Sequence, residues 1–192
     1  MKKKVFVAMS GGVDSSAAAM LLQQQGYDVT GATLRMFSNE DLGLEQDSAC
    51  CSLSDVEDAK LVAHKLGIPH YVFNFTDDFY REVVDKFVDT YYAGGTPNPC
   101  IDCNRFLKFG KLLQRARELG CDCVVSGHYA RVEQDKATGR YLLKRAADTA
   151  KDQTYFLACL SQEQLAHVQF PLGALTKEQV RQIAEAHGFI NA

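Results

Sequence analysis

No apolar run in these 192 residues approaches the length of a bilayer span, so no membrane crossing is expected. The lysines at positions 2–4 lead into a buried-type strand, Val5-Phe6-Val7-Ala8, and not into the apolar core of a signal peptide. Positive charge is not in excess: 21 Lys and Arg face 24 Asp and Glu, for a net charge of −3. That balance argues against strong indiscriminate nucleic-acid binding but leaves room for a local basic face. No internal repeat and no low-complexity tract is present. Seven cysteines occur without a secretion signal, so they read as reduced thiols, metal ligands or catalysts and not as a disulfide framework. A soluble, cytoplasmic protein is expected.

What is present is an alternation of strand and helix patterns. The strand candidates are Lys4–Met9, Val29–Met36, His70–Phe75 and Cys123–Gly127. The helix candidates are Ser15–Gln25, Asp55–Leu66, Asp77–Tyr92 and Arg105–Leu119. This order predicts an α/β fold, an open and mostly parallel sheet with helices on both faces. Ser54 with Glu57 gives a capping-box signature for the second helix. After Gly127 the character changes. Tyr129–Glu133 and Arg140–Arg145 read as a β-hairpin around Ala137-Thr138-Gly139. A helix is expected from a Thr176 cap, with Gln179, to His187, ended by Gly188. The segment Phe37–Ser52 is long for a loop in a compact α/β unit and reads as functional or mobile.

The most informative stretch is Ala8-Met9-Ser10-Gly11-Gly12-Val13-Asp14-Ser15, between the first strand and the first helix. Glycines let the backbone turn sharply and approach an anion, and the first-turn N–H groups of the helix then face it. Ser10, Ser15 and Ser16 add hydroxyls. Asp14 is acidic where a pure phosphate cradle would avoid a carboxylate, so it is expected to meet phosphates through Mg²⁺. No Gly-Lys-Ser/Thr follows, which excludes a Walker A loop. Ligands of open parallel sheets sit beyond the carboxyl ends of the strands. Leu34-Arg35-Met36-Phe37 and Ser126-Gly127-His128-Tyr129 fall there too. Met36 reads either as a surface for an adenine ring or as plain core, and Gly127 either as room for the nucleotide or as a strand terminator.

A second stretch, Gly94-Gly95-Thr96-Pro97-Asn98-Pro99-Cys100-Ile101-Asp102-Cys103-Asn104, approaches the fourth helix. Its prolines make a rigid entry, and Asn104 is the expected cap. Cys103 is thereby expected at a helix start, where a thiolate is favoured. Lys108, Lys111 and Arg115 line one side of that helix, with Arg105 nearby. They read as a face for RNA or as an ordinary solvated face. Cys100-x-x-Cys103 has a metal-type spacing, but a pair alone does not close a zinc or cluster site. Cys121, Cys123 and Cys159 read as core.

The loop at 8–15 resembles the S-G-G-x-D-S pyrophosphate loop (PP-loop) of the ATP pyrophosphatases. With Asn98-Pro99-x-x-x-Cys103-Asn104, Lys108-Phe109, Gly127-His128-Tyr129-Ala130 and Lys151-Asp152-Gln153-Thr154-Tyr155-Phe156-Leu157, the chain resembles the N-terminal part of the tRNA-specific 2-thiouridylases. That resemblance implies an adenine nucleotide alpha hydrolase-like fold. It also implies a reaction: ATP adenylates the C2 carbonyl of the wobble uridine in tRNA, and sulfur then displaces AMP.

Carried over, Ala8, Met9, Ser10, Gly11, Gly12, Val13, Asp14, Ser15, Met36 and Gly127 bind ATP with Mg²⁺. Asn98, Pro99 and Cys100 approach the target base. Cys103 is the nucleophile, and Asp14 is the second catalytic residue. His128, Lys151, Asp152 and Gln153 touch tRNA. The implied partners are tRNA and a sulfur-donor protein. No separate metal-ligand set is assigned, and a [4Fe–4S] cluster at Cys100/Cys103 is the open alternative. The expected organisation is a catalytic domain over 1–160 and a helical extension, or the start of a further domain, over 161–192. Family members are about twice as long and carry a second catalytic cysteine further on, so the chain is expected to hold the adenylation half. The other readings are a cluster-dependent tRNA thiolase of the same superfamily, and a nucleotide- or tRNA-binding piece without full activity.

Overall fold

The structure, a computed structural model, describes residues 2–37 and 53–189. The expected loop Phe37–Ser52 lies almost wholly outside the described residues, as do Cys50 and Cys51. The first half runs β1 (Lys4–Ala8), α1 (Val13–Gln24), β2 (Asp28–Arg35), α2 (Leu53–Leu66) and β3 (His70–Asn74). Helix α3 joins Thr76–Phe79, a π-helical Tyr80–Val84 and Asp85–Tyr92. Helix α4 joins Pro99–Asp102, a π-helical Cys103–Lys111 and Leu112–Glu118. Then come β4 (Cys123–Ser126), β5 (Ala130–Gln134), β6 (Tyr141–Arg145), α5 (Thr154–Leu157), α6 (Gln162–Ala166), β7 (Val168–Gln169) and α7 (Lys177–Ala186).

Five strands form one parallel sheet in the order β3-β2-β1-β4-β7, and β5 pairs with β6 as an antiparallel hairpin. The predicted α/β sheet is present, with both faces covered. In β1, Val5 and Val7 point into a core shared with α1 and α2, while Phe6 points into the opposite core with Leu107 and Leu112 of α4. All three are fully buried, each contributing roughly 1.5–3 kcal/mol of transfer free energy. This two-sided burial is why the strands read as continuous apolar runs.

Chain order reverses at β1. Strands β2 and β3 extend the sheet to one side, and β4 returns to the other. Ala8 pairs with Ser126, so the glycine loop and Gly127 leave the sheet side by side at the switch point, where such folds bind ligands.

Several local expectations change. Ser54 lies inside α2 and not at its cap, because the helix already includes Leu53. Strand β7 was not anticipated. Its two residues, paired to β4, are too few to show a period. That fifth strand comes from beyond residue 160, and Ala184 of α7 shares a core with β1 and β4. Thr176 and Gln179 do form the expected capping box, and Ser161 with Gln164 forms a second.

Helix α4 departs most. Asn98 caps it through its side chain, accepting from the Cys100 N–H at 3.1 Å, and Pro99 takes the first turn. Asn104 is therefore not a cap. It is buried in the helix, donating from Nδ2 to the Phe156 carbonyl at 3.3 Å. The π-helical stretch adds about one residue per turn, which shifts the faces read at α-helical spacing. Leu107 is fully buried, and its neighbour Phe106 lies half-buried under the Lys86 ammonium at 3.7 Å from its ring centre. The carbonyls of Arg105 and Phe109 both accept from Gln164 Nε2, each at 2.9 Å. One amide thus braces the irregular segment.

Candidate nucleotide and thiol site

The loop after β1 is rigid from within. Ser15 Oγ accepts from the Ser10 N–H at 3.2 Å and donates to the Gly12 carbonyl at 2.9 Å. Ser16 Oγ donates to the same carbonyl at 3.0 Å. Both serines are buried, so these two hydroxyls, expected as phosphate donors, brace the turn. Ser10 and Gly12 are exposed, Val13 and Asp14 half-buried. Gly12 caps α1 with no side-chain acceptor, which leaves first-turn N–H groups available to an anion.

Two glycines are fixed by close approach. Gly11 sits at φ +76°, and a Cβ there would stand 2.5 Å from the Asp55 carbonyl oxygen. A Cβ on Gly127 would stand 2.7 Å from the Asp14 carbonyl carbon and 2.8 Å from the Ser15 nitrogen. Gly127 is therefore where the end of β4 packs against the head of α1.

Asp14 does not point into free space. Its carboxylate receives Lys177 Nζ at 2.6 and 2.7 Å and the Tyr129 hydroxyl at 2.9 Å. Burial and this bond to Asp14 raise the Tyr129 pKa, so the phenol stays a donor. The Tyr129 backbone is clasped in turn by Gln153: N–H to Oε1 at 3.0 Å, and carbonyl from the Gln153 N–H at 2.9 Å.

Cys103 lies one turn inside α4 and not at its start, which corrects the expected position. It is half-buried, with its Sγ 3.7 Å from Met36 Sδ. Met36 is only 5% exposed, so it is mainly core, but it joins the end of β2 to the thiol. Asn98 is half-buried, and Pro99 and Cys100 are exposed on the approach. Burial raises the thiol pKa of Cys121, Cys123 and Cys159, Cys123 to about 11, which makes them poor nucleophiles at neutral pH.

The sequence matches the tRNA methyl transferase HUP domain family over residues 3–192. The chain belongs to this family. It is 54% identical over 188 residues to the tRNA-specific 2-thiouridylase MnmA of Clostridioides difficile (strain 630), a match covering 98% of this chain and 52% of that protein. It is 56% identical over 188 residues to the protein of the same name in Heliobacterium modesticaldum, covering 98% of this chain and 49% of that one. The chain thus spans about half the length of these relatives. Among solved structures, the U34-tRNA thiolase NcsA from Methanococcus maripaludis, determined with its [4Fe–4S] cluster, superposes with a TM-score of 0.59 at 18% identity. That match covers 98% of this chain and 58% of the thiolase chain, and it shows a shared fold.

Within this HUP domain the other expected site residues divide. His128 is half-buried, bonded to Ser126 Oγ through Nδ1 at 2.7 Å and set between the rings of Phe109 and Phe170. Burial, with Lys108 nearby, pushes its pKa down to about 3. The Asp152 carboxylate is taken up by the N–H groups of Ala146 and Thr154 and the Thr154 hydroxyl. Asp152 and Gln153 therefore shape the 148–154 loop, and Lys151 is its exposed cation. The expected basic stripe is partly neutralised: Lys111 pairs with Asp78 at 3.4 Å and Arg115 with Glu118 at 2.7 Å.

Neutral His128 has a measurable consequence. Between pH 6.5 and about 3 the unfolded imidazole binds a proton that the folded one refuses, so stability falls as pH drops through that window. The His128 ring proton shifts are expected to stay flat from pH 5 to 8 by NMR. A titration midpoint near 6.5 in the folded protein would contradict the pocket described.

Sequence reading missed Tyr129 as a partner of Asp14, although it follows directly on Gly127-His128. It missed Lys177 entirely, because no local pattern links positions 163 residues apart. No group of three or more His, Cys, Asp or Glu suited to a metal ion occurs among the described residues. Among the described residues Cys100 and Cys103 supply two thiols, and two alone do not close a [4Fe–4S] site.

Proposed function

We propose that this domain binds ATP at the 8–15 loop and adenylates the C2 carbonyl oxygen of the wobble uridine in tRNA, as the adenylation half of a 2-thiouridylase. The supporting observation is the loop itself, an amide-lined helix head at the switch point with Gly127 packed behind it. The uridine O2 attacks the α-phosphorus and pyrophosphate leaves. First-turn N–H groups stabilise the charge on the departing phosphates. Asp14 is the carboxylate suited to hold Mg²⁺, which would supply further positive charge there. Cys103, carrying a persulfide sulfur passed on by the sulfur donor, then attacks C2 through its outer sulfur, and AMP departs with the oxygen. The donor's thiol takes the inner Cys103 sulfur as a disulfide, which releases 2-thiouridine.

The names of the longer relatives, at 53–56% identity, support thiolation. The family description mentions methyl transfer, but that chemistry has no use for a pyrophosphate loop. Asn98, Pro99 and Cys100 are proposed to meet the flipped base, and His128 and Lys151–Gln153 to lie along the tRNA. Met36 and Gly127 are proposed to border the nucleotide, a protein persulfide to donate the sulfur, and the cytoplasm to be the site of action. No step is assigned to an iron–sulfur cluster. No helix among the described residues is long and apolar enough to cross a membrane.

The test is pyrophosphate release. With Mg²⁺-ATP, release is expected only when unmodified tRNA bearing a wobble uridine is added. ATP binding without release in the presence of that tRNA would reduce the domain to a nucleotide-binding piece. No ATP binding would remove the reading altogether.

A further inference from the structure

We propose that Lys177 is a positioning residue of the nucleotide site: its ammonium neutralises Asp14, so that the glycine loop accepts phosphate despite the carboxylate at the head of α1. The inference rests on the nucleotide reading above and adds a residue to it.

A carboxylate in the first turn of α1 benefits from the same helix field that would favour a bound phosphate. Left uncompensated, it competes with that phosphate and repels it. Lys177 cancels the charge by touching both oxygens, at 2.6 and 2.7 Å, while the Tyr129 hydroxyl holds Oδ1 at 2.9 Å. This is not a mobile surface pair. The two side chains are 20% and 34% exposed. The Lys177 backbone N–H donates to Asp148 Oδ2 at 3.0 Å, and the Thr176–Gln179 capping box fixes the turn from which the side chain extends. Val180 packs in one cluster with Ala17 and Ala18 of α1, and Ala184 in another with Ala19 and Met20. The ammonium is thus delivered to Asp14 by a helix docked on α1. Asp14 is also the carboxylate that would hold Mg²⁺ brought by the nucleotide, and that ion would supply positive charge in place of the lysine's.

The experiment is calorimetric ATP binding in EDTA and in Mg²⁺, with no turnover involved. In EDTA, Lys177→Gln is expected to bind ATP at least tenfold more weakly than wild type, and Lys177→Arg within threefold of it. Mg²⁺ should narrow the Lys177→Gln deficit to threefold or less. The decisive variant is Asp14→Asn/Lys177→Gln: with no carboxylate left to neutralise, its EDTA affinity should return to within threefold of wild type. A Lys177→Gln protein that binds normally in EDTA overturns the proposal, as does a double variant no tighter than Lys177→Gln. Thermal melts check folding. If Lys177→Gln alone does not fold, Asp14→Asn is compared with the double variant: equal affinities uphold the proposal, and a tenfold gap overturns it. Failure of wild type to bind ATP would instead remove the nucleotide reading itself.

Discussion

Cys103→Ser is expected to abolish 2-thiouridine formation while leaving ATP binding within about twofold of wild type. A serine hydroxyl is nearly isosteric with the thiol but is neither a comparable nucleophile at neutral pH nor able to carry sulfur. A loss of roughly 10³-fold or more in thiolation is therefore expected. The fold should tolerate the exchange, since serine fits the volume of the half-buried thiol, which stands 3.7 Å from Met36 Sδ. The nucleotide loop is braced separately, through Ser15, Ser16 and Gly12. The readouts are nucleoside mass analysis of tRNA from a strain carrying the substitution in the whole gene, and calorimetry on the purified protein. Cys100→Ser is the contrasting variant. If Cys103→Ser thiolates normally and Cys100→Ser does not, the roles assigned to the two thiols are wrong.

That pair of cysteines shows where sequence reading fell short. The spacing Pro97-Asn98-Pro99 signals an extended approach, and the helix was expected only after it. Pro99 is instead compatible with a first helical turn, where its missing N–H costs nothing. Asn98, one residue earlier, supplies the cap. The π-helical stretch then shifts the start of the helix, so Asn104 and Leu107 are buried and Phe106 only half-buried, while Phe109, Leu112, Leu113 and Ala116 are buried as α-helical spacing places them. The cap does have a local signature, Asn followed by Pro at the first helical position, whereas the π-helical stretch has none. By contrast, β1, α1, β2, β3 and β4 fall within two residues of expectation. There the apolar runs are bounded by glycine turns and the strand and helix periods do not compete. Tertiary contacts account for the rest. The Lys177–Asp14 pair and the Gln164 brace join segments far apart in sequence, and only the folded sheet brings them together.

Gly127→Ala and Gly12→Ala are expected to fail in different ways, and the difference separates packing from binding. A methyl at Gly127 would lie 2.7–3.0 Å from Asp14 and Ser15 atoms, mostly backbone that cannot swing aside. Either β4 or the head of α1 must shift, at roughly 1–3 kcal/mol, typical of overpacking. Because that shift displaces the first-turn amides, ATP affinity should fall tenfold or more along with stability. Gly12 is exposed, at φ −82°, and a Cβ there meets only Ser10 Oγ at 3.8 Å. Its alanine variant should lose about 1 kcal/mol or less, the usual difference between glycine and alanine at a helix cap. It should still lose ATP affinity about tenfold, because the new methyl stands on the surface the phosphates approach. Chemical denaturation and calorimetry on the two proteins measure both quantities. A Gly12→Ala protein that keeps full ATP affinity would show that the phosphates do not lie on this turn, and the adenylation chemistry would then need another site.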